Sequence, residues 1–424
     1  ISSQRKKEYQ KLNQELYWIE FISIEVYMRI IKLPTNSGNA YLEFCFVNGS
    51  QTEPEGFKGV SHLIEHLHFR DSSDEGLREK KKELESLGVI LNAYTSEQCV
   101  GFHAGFLPEH FTQVCDVLRR IVYSPSFLDE DINIEKSVVV REIIDYEDQP
   151  ATHANLKFKS LLYDDKYCSV MGYKEDVLSC NSDKIKELYK DIFGLHNLVV
   201  IVSGPQDFLE NIDKDSLLPS STSLRRFPKN LIFEVRGYKK PVREEEDRGL
   251  GSVYYRSGFL FPHAFHPDRE EAYKIRTMLC IASEMLGGSQ ASPLYEEIRE
   301  KRGYAYTMQS GYIMGTRDDL FAIAGQLNPE SCNSASVVID NCIQTFCGDV
   351  GLFNYAKRKF INTQRWAEVS PELRSAEKLS EILCNYKSPD EKFLEEEITY
   401  DLFKFYMDKL GCFTPSKFTT FILK

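Results

Sequence analysis

His62-Leu63-Ile64-Glu65-His66 places two histidines four residues apart with a glutamate between them. On a helix, positions i and i+4 lie on one face about one turn apart, so both imidazoles can reach a single ion. Glu65, three residues after His62, shares that face and can take a proton from a zinc-bound water without ligating the metal itself. The order H-x-x-E-H is the inverse of the commoner H-E-x-x-H zinc motif. Hydrolytic zinc keeps three protein ligands and one open water position. The pattern therefore asks for a third ligand elsewhere in the chain.

The flanking sequence sets this helix in a layered α+β framework. Ile22 to Leu33 and Ala40 to Val47 read as strands before it, with mixed apolar and β-branched character. After it, Asp74 to Leu87 is a charged helix with an apolar stripe, and Val89 to Thr95 and Val100 to Phe106 are strands. Pro108 to Tyr123 has helical periodicity, with Phe111, Val114, Val117 and Ile121 on one face. Asp129 to Tyr146 is a further helix, and Leu198 to Ser203 is a buried strand. The stretch from Gln206 to about Asp247 is rich in Asp, Ser, Pro, Lys and Glu and reads as a linker. A second half opens with the strand Gly251 to Leu260 and the apolar helix Tyr273 to Leu286. The expected organisation is residues 1–210 as a zinc-binding domain, 211–247 as linker and 248–424 as a second domain. The two domains are similar in size, each a mixed sheet packed with helices. No short repeat is visible, though the halves could be two copies of one fold.

Composition limits the function. The 424 residues, 42% of them apolar, supply more than one core. The net charge of −12 disfavours nucleic acid and suits a cationic substrate. No apolar run approaches the roughly 18–20 residues of a membrane span, and Ile1 to Glu20 is polar rather than signal-like. Eleven scattered cysteines without a C-x-x-C pair argue for reduced thiols and a cytoplasmic location.

For the third ligand, Glu142 lies 76 positions after His66 on the helix expected at Asp129 to Tyr146. Glu135, two helical turns earlier, points the same way and could orient the metal-binding residues. The plainer reading of either glutamate is a solvated helix face. His68 is two residues from His66, points away from the ligand face, and reads as a packing or hydrogen-bonded histidine.

The chain resembles the pitrilysin-type inverzincin family of zinc metallopeptidases, and within it the half-size, processing-peptidase-like members. The resemblance rests on a series of matches in order: Gly49-Ser50 with Glu53, His62-x-x-Glu65-His66, Asn92-Ala93-Tyr94-Thr95, and Glu135 with Glu142 seven later. In the second half come Leu286-Gly287-Gly288, Ser292-Pro293-Leu294-Tyr295 and Arg299-Glu300-Lys301-Arg302-Gly303-Tyr304-Ala305-Tyr306. One departure is Leu67-His68-Phe69-Arg70-Asp71-Ser72, where members usually carry apolar residues and a lysine-glycine.

The resemblance implies that His62, His66 and Glu142 bind Zn2+, that Glu65 is the general base and that Glu135 supports the ligands. It implies that Asn92, Ala93, Tyr94 and Thr95 lie on an edge strand to which an extended peptide adds by main-chain pairing. It also implies that Arg299 and Tyr306 close on the substrate from the second half. The function so implied is a zinc-dependent metalloendopeptidase hydrolysing unfolded peptides or leader and presequence segments. Half-size members pair to enclose a chamber, and a chain holding both residue sets is expected to form a homodimer, with a heterodimer of related chains as the variant. The alternatives are a non-catalytic peptide-binding or assembly subunit of the same fold and the zinc-bearing half of a heterodimeric peptidase. No nucleic-acid or membrane partner is expected.

Overall fold

The computed structural model describes residues 22–24, 29–70, 72–163, 169–219, 231–233, 238–263 and 266–424. The reading of Ile1 to Glu20 falls outside them. In chain order the strands are β1 (Ile22–Ile24), β2 (Arg29–Pro34), β3 (Ala40–Phe46), β4 (Ile90–Thr95), β5 (Val100–Phe106), β6 (Leu198–Gly204), β7 (Leu231–Phe233), β8 (Arg243–Glu246), β9 (Val253–Phe261), β10 (Ala305–Ile313), β11 (Asp319–Leu327) and β12 (Thr419–Leu423). The principal helices are α1 (Val60–Phe69), α2 (Glu75–Ser86), α3 (Phe111–Tyr123), α4 (Asp129–Asp148), α5 (Pro150–Leu162), α6 (Ser182–Ile192), α7 (Arg269–Gly287), α8 (Cys332–Thr345), α9 (Val350–Ala367), α10 (Pro371–Leu383) and α11 (Tyr400–Leu410).

Two five-stranded sheets organise the molecule, ordered β2-β6-β3-β5-β4 and β10-β11-β9-β12-β8. Counted in sequence within its own half, each sheet reads third, fourth, second, fifth, first. In both, the first and fifth strands are parallel and every other pairing is antiparallel. The halves are therefore two copies of one mixed-sheet topology, as the α+β reading allows. The third strand of each copy, β4 or β10, is a sheet edge.

One expectation changes. The charged run Arg243–Glu246, which composition places in the linker, is the edge strand β8, parallel to β12. Edge position explains its sequence, because charged side chains remain in water and discourage pairing with another chain. The first expected strand appears as β1 and β2, with 25–28 outside the described residues; β1 pairs with β7 rather than with the first sheet.

Every residue of β3 and β6 is buried, and the two faces of these strands meet different layers. Leu42, Phe44, Leu198, Val200 and Val202 join the first core with Leu63, Ile64 and Leu67 of α1. The alternate residues Cys45, Val199 and Ile201 pack against Leu379 and Leu383 of α10, a helix of the second half. The exchange is mutual. Ala154, Phe158 and Leu162 of α5, from the first half, pack on Phe421 and Leu423 of β12.

The start of α1 fixes the metal motif in space. Gly59 precedes the helix with φ of +92°, and a Cβ there would strike the Met171 carbonyl. The Glu53 carboxylate, buried, accepts the amide N–H groups of Gly59 and Ser61, each at 2.7 Å, and satisfies donors that a helix start otherwise leaves unpaired. Burial pushes the Glu53 carboxyl up to about 7, although the two amides favour the anion. A carboxyl raised above its unfolded value of 4.5 binds its proton more tightly in the folded state. Its contribution to stability is thus full at low pH and is lost as pH rises through about 7. In melting experiments, the Tm margin of the native chain over Glu53→Gln, which cannot titrate, is expected to shrink between pH 5 and pH 8. A margin that widens over that range would show that the amides, not burial, govern this group.

Candidate metal centre

Helix α1 divides its sides between the core and the site. Val60, Leu63, Ile64 and Leu67 are fully buried, while His62, Glu65 and His66 are half-buried on the other side. His68 turns away from them as expected: it is buried, with Nδ1 2.8 Å from the Ile121 carbonyl oxygen. Helix α4 runs beside α1 and buries Asp131, Ile132, Glu135, Val139 and Ile143, which brings Glu135 and Glu142, two turns apart, along the motif.

One Glu142 oxygen, Oε2, lies 3.7 Å from His62 Nε2 and 3.5 Å from His66 Nε2. The three donor atoms of His62, His66 and Glu142 all fall within 4.8 Å of one another. Two imidazoles and a carboxylate are the donor set of hydrolytic zinc. Bonds of about 2.0–2.2 Å in a tetrahedron separate ligand atoms by roughly 3.3–3.6 Å, so the residues present fit that ion. The imidazole state fits as well. Burial, with the neighbouring His66, lowers His62 to about 4, which keeps it neutral and able to donate a lone pair.

Glu135 takes the supporting position. Its Oε2 is 3.0 Å from His66 Nδ1, so the second ring nitrogen is held by a carboxylate while Nε2 faces Glu142. Burial opposes charge on His66, yet the Glu135 hydrogen bond and the charges of Glu142 and Glu65 outweigh it and raise the imidazole. The same hydrogen bond, with help from Arg70, lowers Glu135. Arg70 Nη1 donates to Glu135 Oε1 at 2.9 Å, and its Nε lies 3.4 Å from buried Asp131. Asp131 in turn accepts from the Ser72 amide and hydroxyl, both at 3.1 Å. The departure from the family pattern at Arg70 to Ser72 therefore builds a second carboxylate–guanidinium tier behind His66. Sequence reasoning singled out that departure without assigning it a role. The signal was a basic residue four positions after His66, with Asp131 and Glu135 one turn apart on the facing helix.

Glu65 does not join the donor cluster. It accepts a 2.6 Å hydrogen bond from the Thr95 hydroxyl at the end of β4. Burial raises the Glu65 carboxyl against the opposing pull of Thr95 and His66. Along β4, Leu91 and Ala93 pack toward the α1 core and Tyr94 toward the opposite layer, while Asn92 is exposed and accepts from the Ala93 amide. Asn92 to Thr95 thus lie on a sheet edge that no other described strand pairs with and that runs up to Glu65.

Arg299 and Tyr306 are brought together with each other. Arg299 sits in a π-helical turn, Tyr295–Glu300, and its guanidinium lies 4.8 Å from the Tyr295 ring and 5.4 Å from the Tyr306 ring. Gly303, with φ of +63°, turns the chain from that helix into β10. Tyr306 is the extra residue of a β-bulge between Ala305 and Thr307, which aims its side chain outward at 77% exposure. Among the described residues, neither Arg299 nor Tyr306 makes a hydrogen bond or ion pair with His62, Glu65, His66 or Glu142. No helix among these residues is long and apolar enough to cross a membrane.

The description "Insulinase (Peptidase family M16)" matches residues 32–168, and "Peptidase M16 inactive domain" matches residues 179–352. The second stretch runs from the end of the first half, β6 included, into the second half as far as the start of α9, and takes in α7, which occupies the place of α1 in the strand order and contains no histidine. An uncharacterized zinc protease of Bacillus subtilis, YmxG, is 25% identical over 71% of this chain and 71% of its own length. An uncharacterized zinc protease of Streptomyces coelicolor is 23% identical over 66% of this chain and 61% of its own. The fold matches a protease from Helicobacter pylori with a TM-score of 0.75 at 16% identity, over 96% of this chain and all of that one. Both halves of the fold, the metal-site geometry and the matched stretches agree: the chain belongs to the insulinase family, peptidase family M16.

Proposed function

We propose that this protein is a zinc endopeptidase that hydrolyses unfolded peptides or leader segments, with His62, His66 and Glu142 holding the metal and Glu65 acting as general base. The observation that carries the proposal is the meeting of three features at one point: a His/His/Glu donor set within 4.8 Å, Glu65 on the same helix, and a free strand edge hydrogen-bonded to Glu65 through Thr95. The names of the Bacillus and Streptomyces relatives support the same reading.

Zinc bound by these residues would supply a Lewis acid that lowers the pKa of water and polarises a carbonyl. The rest falls to the chain's own groups. The edge of β4 offers main-chain N–H and C=O groups that can pair with an extended peptide and hold its backbone against α1. Glu65 Oε2 is held in place by Thr95, while burial raises the carboxyl toward the range where a base can accept a proton and return it to the leaving amine. Glu135 and Arg70 keep the His66 ring from turning.

Arg299 and Tyr306 stand as the closing pair. The Tyr306 hydroxyl can donate to the oxygen on which charge develops, and Arg299 can hold substrate carbonyls with its planar fork of donors. We assign the protein to a homodimer in which one chain's second half faces the other chain's metal helix. A net charge of −12 favours basic peptides, and the ten described cysteines, all free thiols, suit a reducing, cytoplasm-like compartment.

Zinc content and hydrolysis of a quenched peptide library, compared for the native chain and Glu65→Gln, test the reading. About one zinc per chain is expected in both, with the variant roughly 10²-fold slower or more. Full activity in Glu65→Gln would sink the mechanism, and a metal-free, inactive native chain would support the assembly role. His62→Ala is expected to lose the metal altogether, and retention at native stoichiometry would remove His62 from the ligand set. Mixing Glu65→Gln chains with Arg299→Ala chains tests the dimer. Regained hydrolysis would mean sites shared between chains, whereas none would mean sites completed within one chain.

A further inference from the structure

We propose that Glu43 is a positioning residue that locks the peptide-accepting edge strand to the second half of the molecule, so that β4 and the Glu65 beside it are held in their working places by the docking of the two halves. The inference rests on the peptidase reading above.

Glu43 is a carboxylate in the middle of β3, a strand whose every other position is apolar or aromatic. It is 2% exposed, and among the described residues no lysine, arginine or histidine forms an ion pair with it. A buried carboxylate without a cation is costly unless each oxygen is hydrogen-bonded. Both oxygens are. Tyr94 on β4 donates its phenol to Oε1 at 2.6 Å, and Ser375 on α10 donates its hydroxyl to Oε2 at 2.7 Å. An apolar residue would fill this position at lower cost, so the pattern calls for a gain elsewhere.

That gain lies in what the two donors join. Strand β5 separates β4 from β3, and the Tyr94 ring crosses it over Gly101, its register partner. A Cβ on Gly101 would overlap the ring. Ser375 comes from the helix of the second half that covers this face of the first sheet, where Ser203 also donates to the Pro371 carbonyl at 2.6 Å. One carboxylate therefore connects the free edge of the first sheet to the half that carries Arg299 and Tyr306.

The next residue along β4 closes the connection. Side chains alternate across a strand, so Tyr94 points toward α10 and Thr95 toward α1, where its hydroxyl holds Glu65. Adjacent residues are thus clamped from opposite faces, one by the other half of the protein and one by the catalytic base. A strand held this way meets a peptide already ordered, and binding does not have to supply that ordering.

Tyr94→Phe and Ser375→Ala each remove one donor with little change of shape. Each is expected to reduce kcat/KM on long peptides about tenfold, mainly through KM, with zinc content unchanged. Because both act through Glu43, the double variant is expected to lose about tenfold rather than the hundredfold of independent sites. Gly101→Ala, which displaces the ring and leaves Glu43 intact, is expected to reproduce Tyr94→Phe. Amide hydrogen exchange in β4 is expected to quicken about tenfold in Ser375→Ala, a readout that needs neither metal nor turnover. Native exchange in β4 of Ser375→Ala, or multiplying losses in the double variant, would overturn the proposal. A native chain that cleaves nothing would count against the peptidase reading, and exchange would still decide whether Ser375 holds the edge.

Discussion

Each sheet has two apolar faces, but the helices of its own half cover only one of them, and the structure follows from how the second face is buried. In β3 and β6 alternate residues feed different cores, so a bare outer face would expose Cys45, Val199 and Ile201 together. Keeping one aliphatic side chain of this size from water stabilises by about 1.5–3 kcal/mol. Helix α10 covers that face from the second half, and α5 covers the corresponding face of the second sheet from the first. The seam between the halves is thus core in character, and neither half completes its packing alone.

The candidate metal centre is built on this packing. Helix α1 is anchored by fully buried side chains and by the Glu53 contacts at its start, so its histidines project from a fixed support. Helix α4 supplies Glu142 and Glu135 on one line, and Arg70 ties Glu135 to Asp131. The second copy of the fold keeps the strand order and replaces the site. Where the first half has the helix of His62 and His66 and an edge strand without a bulge, the second has a helix without histidine and an edge strand bulged at Tyr306.

Much of this was legible in the sequence, and what was not has physical causes. Strand β5 and helix α4 follow from local periodicity and the two histidines from their spacing on one helix face, whereas Glu142 is singled out as a ligand by the family resemblance and not by any local pattern. Strand β8 escaped notice because an edge strand need not alternate, and its run of charge resembles a loop. The swap of α5 and α10 is invisible because an apolar stripe shows that a helix is covered and not which sheet covers it. Glu43 is hidden for a similar reason: its partners are 51 and 332 residues away, and no local pattern links them. Tyr306 carries the family's sequence pattern, but its outward aim depends on a bulge that pairing register alone reveals.

The exchanged helices also bear on how the chain is made. During synthesis the first sheet can form once Gly204 has emerged, yet Leu379 and Leu383, which cover its outer face, come about 175 residues later. Phe158 and Leu162 on α5 wait longer, for Phe421 and Leu423 about 260 residues after them. A nascent chain therefore carries two apolar surfaces while the residues that cover them are still to be made, at the stage when exposed apolar area invites aggregation and chaperone capture. The seam that joins the halves in the finished protein thus leaves Cys45, Val199 and Ile201 without their cover until α10 has been made.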